Sequence, residues 1–186
     1  MPETILFALV YSKAKKYHIS PLFKHKEIYY VLAIELIYLY FQIALFNGNY
    51  EVVQYASLLK SVYLCSYLGL IFKYELYKEA LIGSGFMLLG GLCNQIAIIA
   101  NQGKMPVFPS LSYLTGYAKP EAFNIAHEIT KDFHILGGSE TKLKIFTDFL
   151  DIGYSILSIG DLLIRVFIIL IIYGAIKKIN KLKEKA

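Results

Sequence analysis

Taken as a pattern of apolar and polar positions, the chain is a series of long apolar runs separated by shorter polar stretches. A helix crossing a hydrocarbon core about 30 Å thick needs roughly 20 apolar residues. Four runs meet that length: 28–46, 52–72, 80–101 and 154–176. A fifth, 4–12, is too short for a standard span and reads as a half-span, a tilted helix or an interfacial anchor. The pattern predicts an all-α integral membrane helical bundle, with four full spans and one short N-terminal segment in a single domain over residues 1–186.

The stretch 102–151 is too long for a plain connector in a small membrane protein. Turn chemistry falls at Met105-Pro106, Phe108-Pro109, Lys119-Pro120 and Gly137-Gly138. Between these, 120–129 predicts a short amphipathic helix with Pro120 in its first turn, and Phe123, Ile129 and Phe133 suit it to rest on the membrane surface. The whole stretch is expected to form an outer loop cap.

Lysines set the expected orientation, because short positive loops stay in the cytoplasm. The 13–27 loop, the 73–79 loop and the C-terminal tail hold five, two and five Lys, and the 47–51 turn holds none. The 102–151 stretch holds five Lys against six acids. Alternation then puts the C-terminus in the cytoplasm and 102–151 outside a bacterial inner membrane. The first residues lack a basic n-region and carry Glu3 before a short apolar run, which argues against a cleaved signal peptide.

Composition agrees with a membrane class: 56% hydrophobic and 18% charged residues lie outside the range of ordinary soluble domains. The formal net charge of +5 does not point to nucleic acid, because Lys13, Lys15, Lys16, Lys24 and Lys26 form one cluster and Lys177, Lys178, Lys181, Lys183 and Lys185 another. Both flank apolar runs, so membrane lipid headgroups are the expected partner. With no Trp, tyrosine takes the role of interface anchor and packing residue. Cys65 and Cys93 fall inside spans without C-x-x-C spacing and read as small buried apolar residues.

Polar residues inside the runs are the candidate chemistry, since an ionisable group in hydrocarbon is expensive and commonly functional. Gly83, Gly90, Asn94, Ala97 and Asn101 share one small, polar helix face. Counting depth at 1.5 Å per residue puts Glu35, Lys60, Asp161 and Arg165 in one layer. Asp161 and Arg165 are four apart on one face, and Glu35 and Lys60 lie on neighbouring spans. Two readings stand side by side: buried ion pairs that set helix register, or a water-accessible polar site under the 102–151 loop. His127 and His134, with Glu128 and Asp132 near, are the sole metal-ligand candidates and lack a second spaced pair, so neither metal nor cofactor is expected. No phosphate-binding glycine loop and no nucleophile elbow occurs.

The stretches NQIAIIANQGKMPV at 94–107 and TKLKIFTDFLDIGYSILSIGDLLI at 141–164 together resemble an uncharacterised bacterial family of small multi-pass membrane proteins of unknown function. Its pattern is an Asn in a span, N-G-G-x-M-P-V at the outer end, then T-x-L-x-x-L-G-D, and S-I-G-D opening the last span. Asn94, Asn101, Gly103, Lys104, Met105, Pro106, Thr141, Leu143, Asp148, Ser158, Gly160 and Asp161 fall on that pattern. Gln102 and Thr147 stand where it has glycine. A second resemblance links DFLDIGYSILSIGDLLI to the last conserved region of lipoprotein signal peptidase, an intramembrane aspartyl protease. That resemblance implies Asp161 as one catalytic aspartate, with Asp148 or Asp151 as the other, because Asn101-Gln102-Gly103-Lys104 replaces the usual second site without a carboxylate.

The expected function is a membrane-embedded binding module for a lipid, peptide or partner helix at the polar site, able to act as an oligomer. The alternative is an intramembrane aspartyl peptidase using Asp148 and Asp161. Transport would require an oligomer with water on both sides of the polar layer.

Overall fold

A computed structural model describes residues 2–119 and 133–184. Its helices are α1 (Pro2–Ala14), α2 (Glu27–Phe46), α3 (Ala56–Cys65), α4 (Leu68–Tyr74), α5 (Tyr77–Ala100), the single turn α6 (Leu111–Leu114) and α7 (Ile159–Lys183). Four helical stretches are long and apolar enough to cross a membrane: Glu27–Phe46, Tyr50–Tyr74, Tyr77–Ala100 and Ile159–Lys183. Helix is what such sequences must form in lipid, because every backbone N–H and C=O then finds its partner within the segment. The helix predicted over 120–129, together with Phe123, His127, Glu128 and Asp132, lies outside the described residues.

The second stretch is not the unbroken span that 52–72 predicts. It opens as a 3-10 turn, Tyr50–Tyr55, with the Asn49 side chain accepting from the Glu51 N–H at 3.2 Å, and it breaks again between α3 and α4. Ser66 marks that second break: its hydroxyl donates to the Tyr63 carbonyl at 2.6 Å, and the Ser66 N–H is shared between Val62 and Tyr63. A serine bonding back onto its own helix loosens the ladder there.

The chain divides into two compact units, one of Met1–Tyr38, Leu58–Met87 and Ile164–Ala186, the other of Leu39–Ser57 and Leu88–Leu163. In the first, α1 buries Thr4, Ile5, Ala8 and Ser12, one face at a four-residue spacing, and leaves Leu6, Phe7 and Val10 exposed. That face joins a core built from Tyr63, Tyr67, Leu70 and Ile71 together with Ile168, Ile171, Ile172 and Ala175 of α7. Lipid removes the usual hydrophobic drive between helices, so close packing and hydrogen bonds have to hold such a core. Gly83 supplies close packing, since a Cβ there would lie 2.8 Å from the Phe167 ring. Lys73 pairs with Glu27 at 2.7 Å and Lys178 with Glu75 at 3.2 Å. Cys65, expected to be buried, is exposed, and Cys93 is half-buried; both are free thiols.

In the second unit, 102–151 does more than turn. Met105–Val107 is a strand, β1, parallel to β2 (His134–Leu136), with Met105 opposite His134 and Val107 opposite Leu136. On the other side of β1 the Phe108 N–H donates to Asp148 at 2.8 Å, and the Asp148 N–H donates to Pro106 at 3.1 Å. Met105-Pro106, read from sequence as a turn, is thus a buried strand. Pro106 is tolerated because β2 is bonded through Met105 and Val107, so the missing N–H falls on the sparser side. A hairpin follows, β3 (Leu150–Asp151) antiparallel to β4 (Ile156–Leu157), turning at Gly153 with φ +88°. The hairpin moves the start of the last helix from the expected 154 to Ile159.

Candidate functional site

The last helix begins with a reciprocal cap. The Ser158 hydroxyl accepts from the Asp161 N–H at 2.9 Å, and the Asp161 carboxylate accepts from the Ser158 N–H at 3.2 Å. Ser and an acid three residues on satisfy two of the helix's orphan donors at once. S-I-G-D is therefore a helix start before it is anything else.

Asn94 of α5 locks onto this cap. Its side-chain oxygen accepts from the Ser158 hydroxyl at 2.8 Å, and its amide lies 3.4 Å from the other Asp161 oxygen. Gly160 makes the approach possible, because a Cβ there would lie 2.5 Å from the Gly90 carbonyl oxygen and would collide with the Asn94 side chain. The small face expected at Gly90 and Asn94 has found its partner, and the partner is the first turn of α7.

Two turns further on, Asn101 makes a second lock. Its amide donates to the Ala97 carbonyl at 2.8 Å and the Lys142 carbonyl at 2.9 Å, and its oxygen accepts from the Lys142 N–H at 2.9 Å. The side chain acts like a short strand, holding the backbone of 142 against the end of α5. A cleft of about 370 Å³ opens beside it, lined by Ala100, Asn101, Gln102, Pro106, Ile135, Leu136 and the segment from Gly138 to Lys142. The floor of that segment is a turn in which the Gly138 N–H donates to the Thr141 hydroxyl at 3.0 Å.

The three aspartates singled out by sequence have different surroundings. Asp161 is engaged by Ser158 and Asn94 as described. Asp148 is buried, with His134 Nε2 at 3.6 Å from its carboxylate. Asp151 accepts from the N–H groups of Ser110 at 2.6 Å, Ser112 at 2.8 Å and Gly153 at 2.8 Å, and from the Ser112 hydroxyl at 2.6 Å. Partial burial pushes its carboxyl up, but those hydrogen bonds outweigh burial and hold it below the usual carboxylate range. It anchors the turn α6 to the hairpin.

Of the four charges expected to share one layer, Glu35, Lys60 and Arg165 sit in the first unit and Asp161 in the second. Arg165, expected opposite Asp161 on its own helix face, is buried and gives its guanidinium to the Glu3 carboxylate and, at 3.3 Å, to the Thr4 hydroxyl. His18 is held to Asn180 by its backbone, and this contact lies fifteen residues beyond the Glu3–Arg165 pair on both segments, so α1 runs beside α7 in the same direction. Glu35 accepts from the Tyr63 hydroxyl at 2.5 Å, which accepts from the Tyr67 hydroxyl at 2.9 Å. Lys60 is half-buried on α3. Tyr63 and Tyr67, read as interface anchors, are fully buried hydrogen-bonding groups. Among the described residues no cluster of three or more His, Cys, Asp or Glu is placed to hold a metal ion.

These features define a helical protein with, among the described residues, four helical stretches long and apolar enough to cross a membrane. The chain belongs to the Family of unknown function (DUF5317), which it matches over residues 20–173. Asn94, Asn101, Ser158, Gly160 and Asp161 fall inside the match, and Glu3 falls outside it. No curated protein and no solved structure matches the chain.

Proposed function

We propose that this is a multi-pass membrane protein acting as a binding module, with a peptide segment as ligand at the cleft beside Asn101. The four apolar helices cross a bacterial inner membrane, the Lys-rich loops and C-terminus face the cytoplasm, and 102–151 lies outside. The observation that carries the reading is the cleft itself, about 370 Å³ and held open by the Asn101 lock on Lys142. Its lining suits a peptide: Asn101, Gln102 and Thr141 offer donors and acceptors, Pro106, Ile135 and Leu136 offer apolar contact, and Glu140 and Lys142 balance in charge. A lipid phosphate would favour a basic lining, which this cleft lacks.

Hydrolysis by an aspartate pair would need two carboxylates sharing a proton around a water. Asp161 is committed to a helix cap and Asp151 to a loop anchor, so binding is the reading carried forward. A random peptide display library selected against the protein in lipid nanodiscs tests it. Gly138→Trp fills the cleft, and a Cβ at Gly138 meets nothing within 4 Å, so the fold should tolerate it. Enriched peptides should lose about tenfold or more in affinity for Gly138→Trp. Failure to enrich, or binding indifferent to that variant, overturns the proposal.

A further inference from the structure

The second unusual surface lies at the other end of the α1–α7 pair, where α1 ends against the last turns of α7. A cleft of about 360 Å³ is lined there by Lys13, Lys16, Tyr17, His18, Ile19 and Ser20. From the geometry we infer that this is a binding site for the phosphate group of an anionic phospholipid.

Three observations support it. First, the scaffold is fixed. The Tyr17 N–H donates to Ser12 at 3.1 Å and the Lys16 N–H to Lys13 at 2.9 Å, closing the helix end. Both backbone groups of His18 are held by the buried Asn180 side chain, each at 2.9 Å. Second, the cations are available. Lys13 and Lys16 are exposed, and among the described residues neither pairs with a carboxylate. Lys16 moreover occupies a left-handed position, φ +66°, where glycine is the favoured helix terminator. The position costs stability, so the lysine is there at an energetic expense that glycine would remove. Third, Tyr17 in the lining belongs to a ring cluster suited to the headgroup boundary. The Tyr173 ring lies 5.2 Å from Tyr11 and 6.0 Å from Tyr17, and Lys15 sits over Tyr11 at 5.6 Å. The last turn of α7 adds Lys181 and Lys183 to the same positive field.

The occupant is a phosphate on a lipid rather than one in solution, because Tyr17 in the lining and its ring neighbour Tyr173 suit the headgroup boundary, where a lipid phosphate sits. The site is separate from the peptide cleft and does not depend on it.

Native mass spectrometry of protein released from vesicles of equal phosphatidylglycerol and phosphatidylcholine tests the inference. The wild type should retain phosphatidylglycerol selectively. Lys13→Gln/Lys16→Gln should lose that adduct by about tenfold or more, because it removes the charge-assisted contacts to the phosphate itself. Lys24→Gln/Lys26→Gln removes the same charge nearby and should lose no more than a few-fold. Lys16→Gly should raise the unfolding temperature while weakening lipid retention, which a merely structural lysine would not do. Equal losses from the two double variants would show a diffuse basic surface and overturn the site. Inorganic phosphate displacing the lipid completely at millimolar concentration would overturn the lipid as its occupant.

Discussion

Gly160→Ala should destabilise the protein, although alanine ordinarily stabilises a helix over glycine by about 0.8–1.0 kcal/mol. A Cβ at Gly160 would lie 2.5 Å from the Gly90 carbonyl oxygen, about 0.9 Å inside the ordinary contact limit of 3.4 Å. The obstacle is backbone of α5 and cannot swing aside, so the first turn of α7 has to retreat. A retreat of that size breaks the 2.8 Å hydrogen bond from Ser158 to Asn94. Such a bond is worth about 1 kcal/mol net, and overpacking costs about 1–3 kcal/mol, giving a loss of about 2–4 kcal/mol before the alanine gain and about 1–3 kcal/mol after it. Gly91→Ala provides the matched control, since a Cβ there meets nothing within 4 Å and should stabilise α5 by up to about 1 kcal/mol. Reversible unfolding in detergent, followed by circular dichroism, measures both. A Gly160→Ala protein as stable as wild type would refute the close approach of α5 and α7 at this point.

Glu3→Ala should cost about 3–5 kcal/mol by leaving the buried Arg165 guanidinium without its carboxylate, and Glu3→Ala/Arg165→Met should recover much of that loss; a double-mutant cycle in the same unfolding assay decides. Asp151 has a lowered carboxyl pKa, so its contribution is complete above the ordinary aspartate value of about 3.9 and lost as pH falls through its own lower value. The protection factors of the Leu111–Leu114 amides, corrected for the intrinsic pH dependence of exchange, should therefore be flat from pH 7 to about 4 and fall below it, and Asp151→Asn should abolish that fall. Gln102 sits at φ +59°, so Gln102→Gly should stabilise the protein by about 1 kcal/mol, read as a higher unfolding temperature.

Run length alone locates the apolar helices well, because hydrocarbon thickness dictates it: 28–46 and 80–101 fall within a residue or three of Glu27–Phe46 and Tyr77–Ala100. Two boundaries moved for local reasons. Ser158 and Asp161 form a cap that is legible as S-x-x-D, but the apolar Tyr154–Leu157 beside it extends the hydrophobic run and hides the hairpin. The break at Ser66 depends on one hydroxyl choosing a backbone carbonyl. The site was half legible. Asn94, Asn101 and Asp161 stand out as polar residues in or beside apolar runs, yet nothing in the spacing announces that Asn94 meets Ser158 and Gly160 or that Asn101 meets the backbone of Lys142. Glu3 lies 162 residues from Arg165, and periodicity carries no information across such a distance. For the same reason Asp161 is the partner that sequence offers Arg165: an i,i+4 neighbour is visible in sequence and a tertiary one is not.

Asp161 serves the fold and the cleft serves binding, and one comparison tests that separation directly. The affinity of a library-selected peptide and the unfolding temperature should be measured together for wild type, Asp161→Asn and Gly138→Trp in nanodiscs. Asp161→Asn should lower the unfolding temperature and leave affinity within a few-fold, while Gly138→Trp should lose affinity at unchanged stability. Affinity lost through Asp161→Asn at full stability, with Gly138→Trp still binding, would contradict the account.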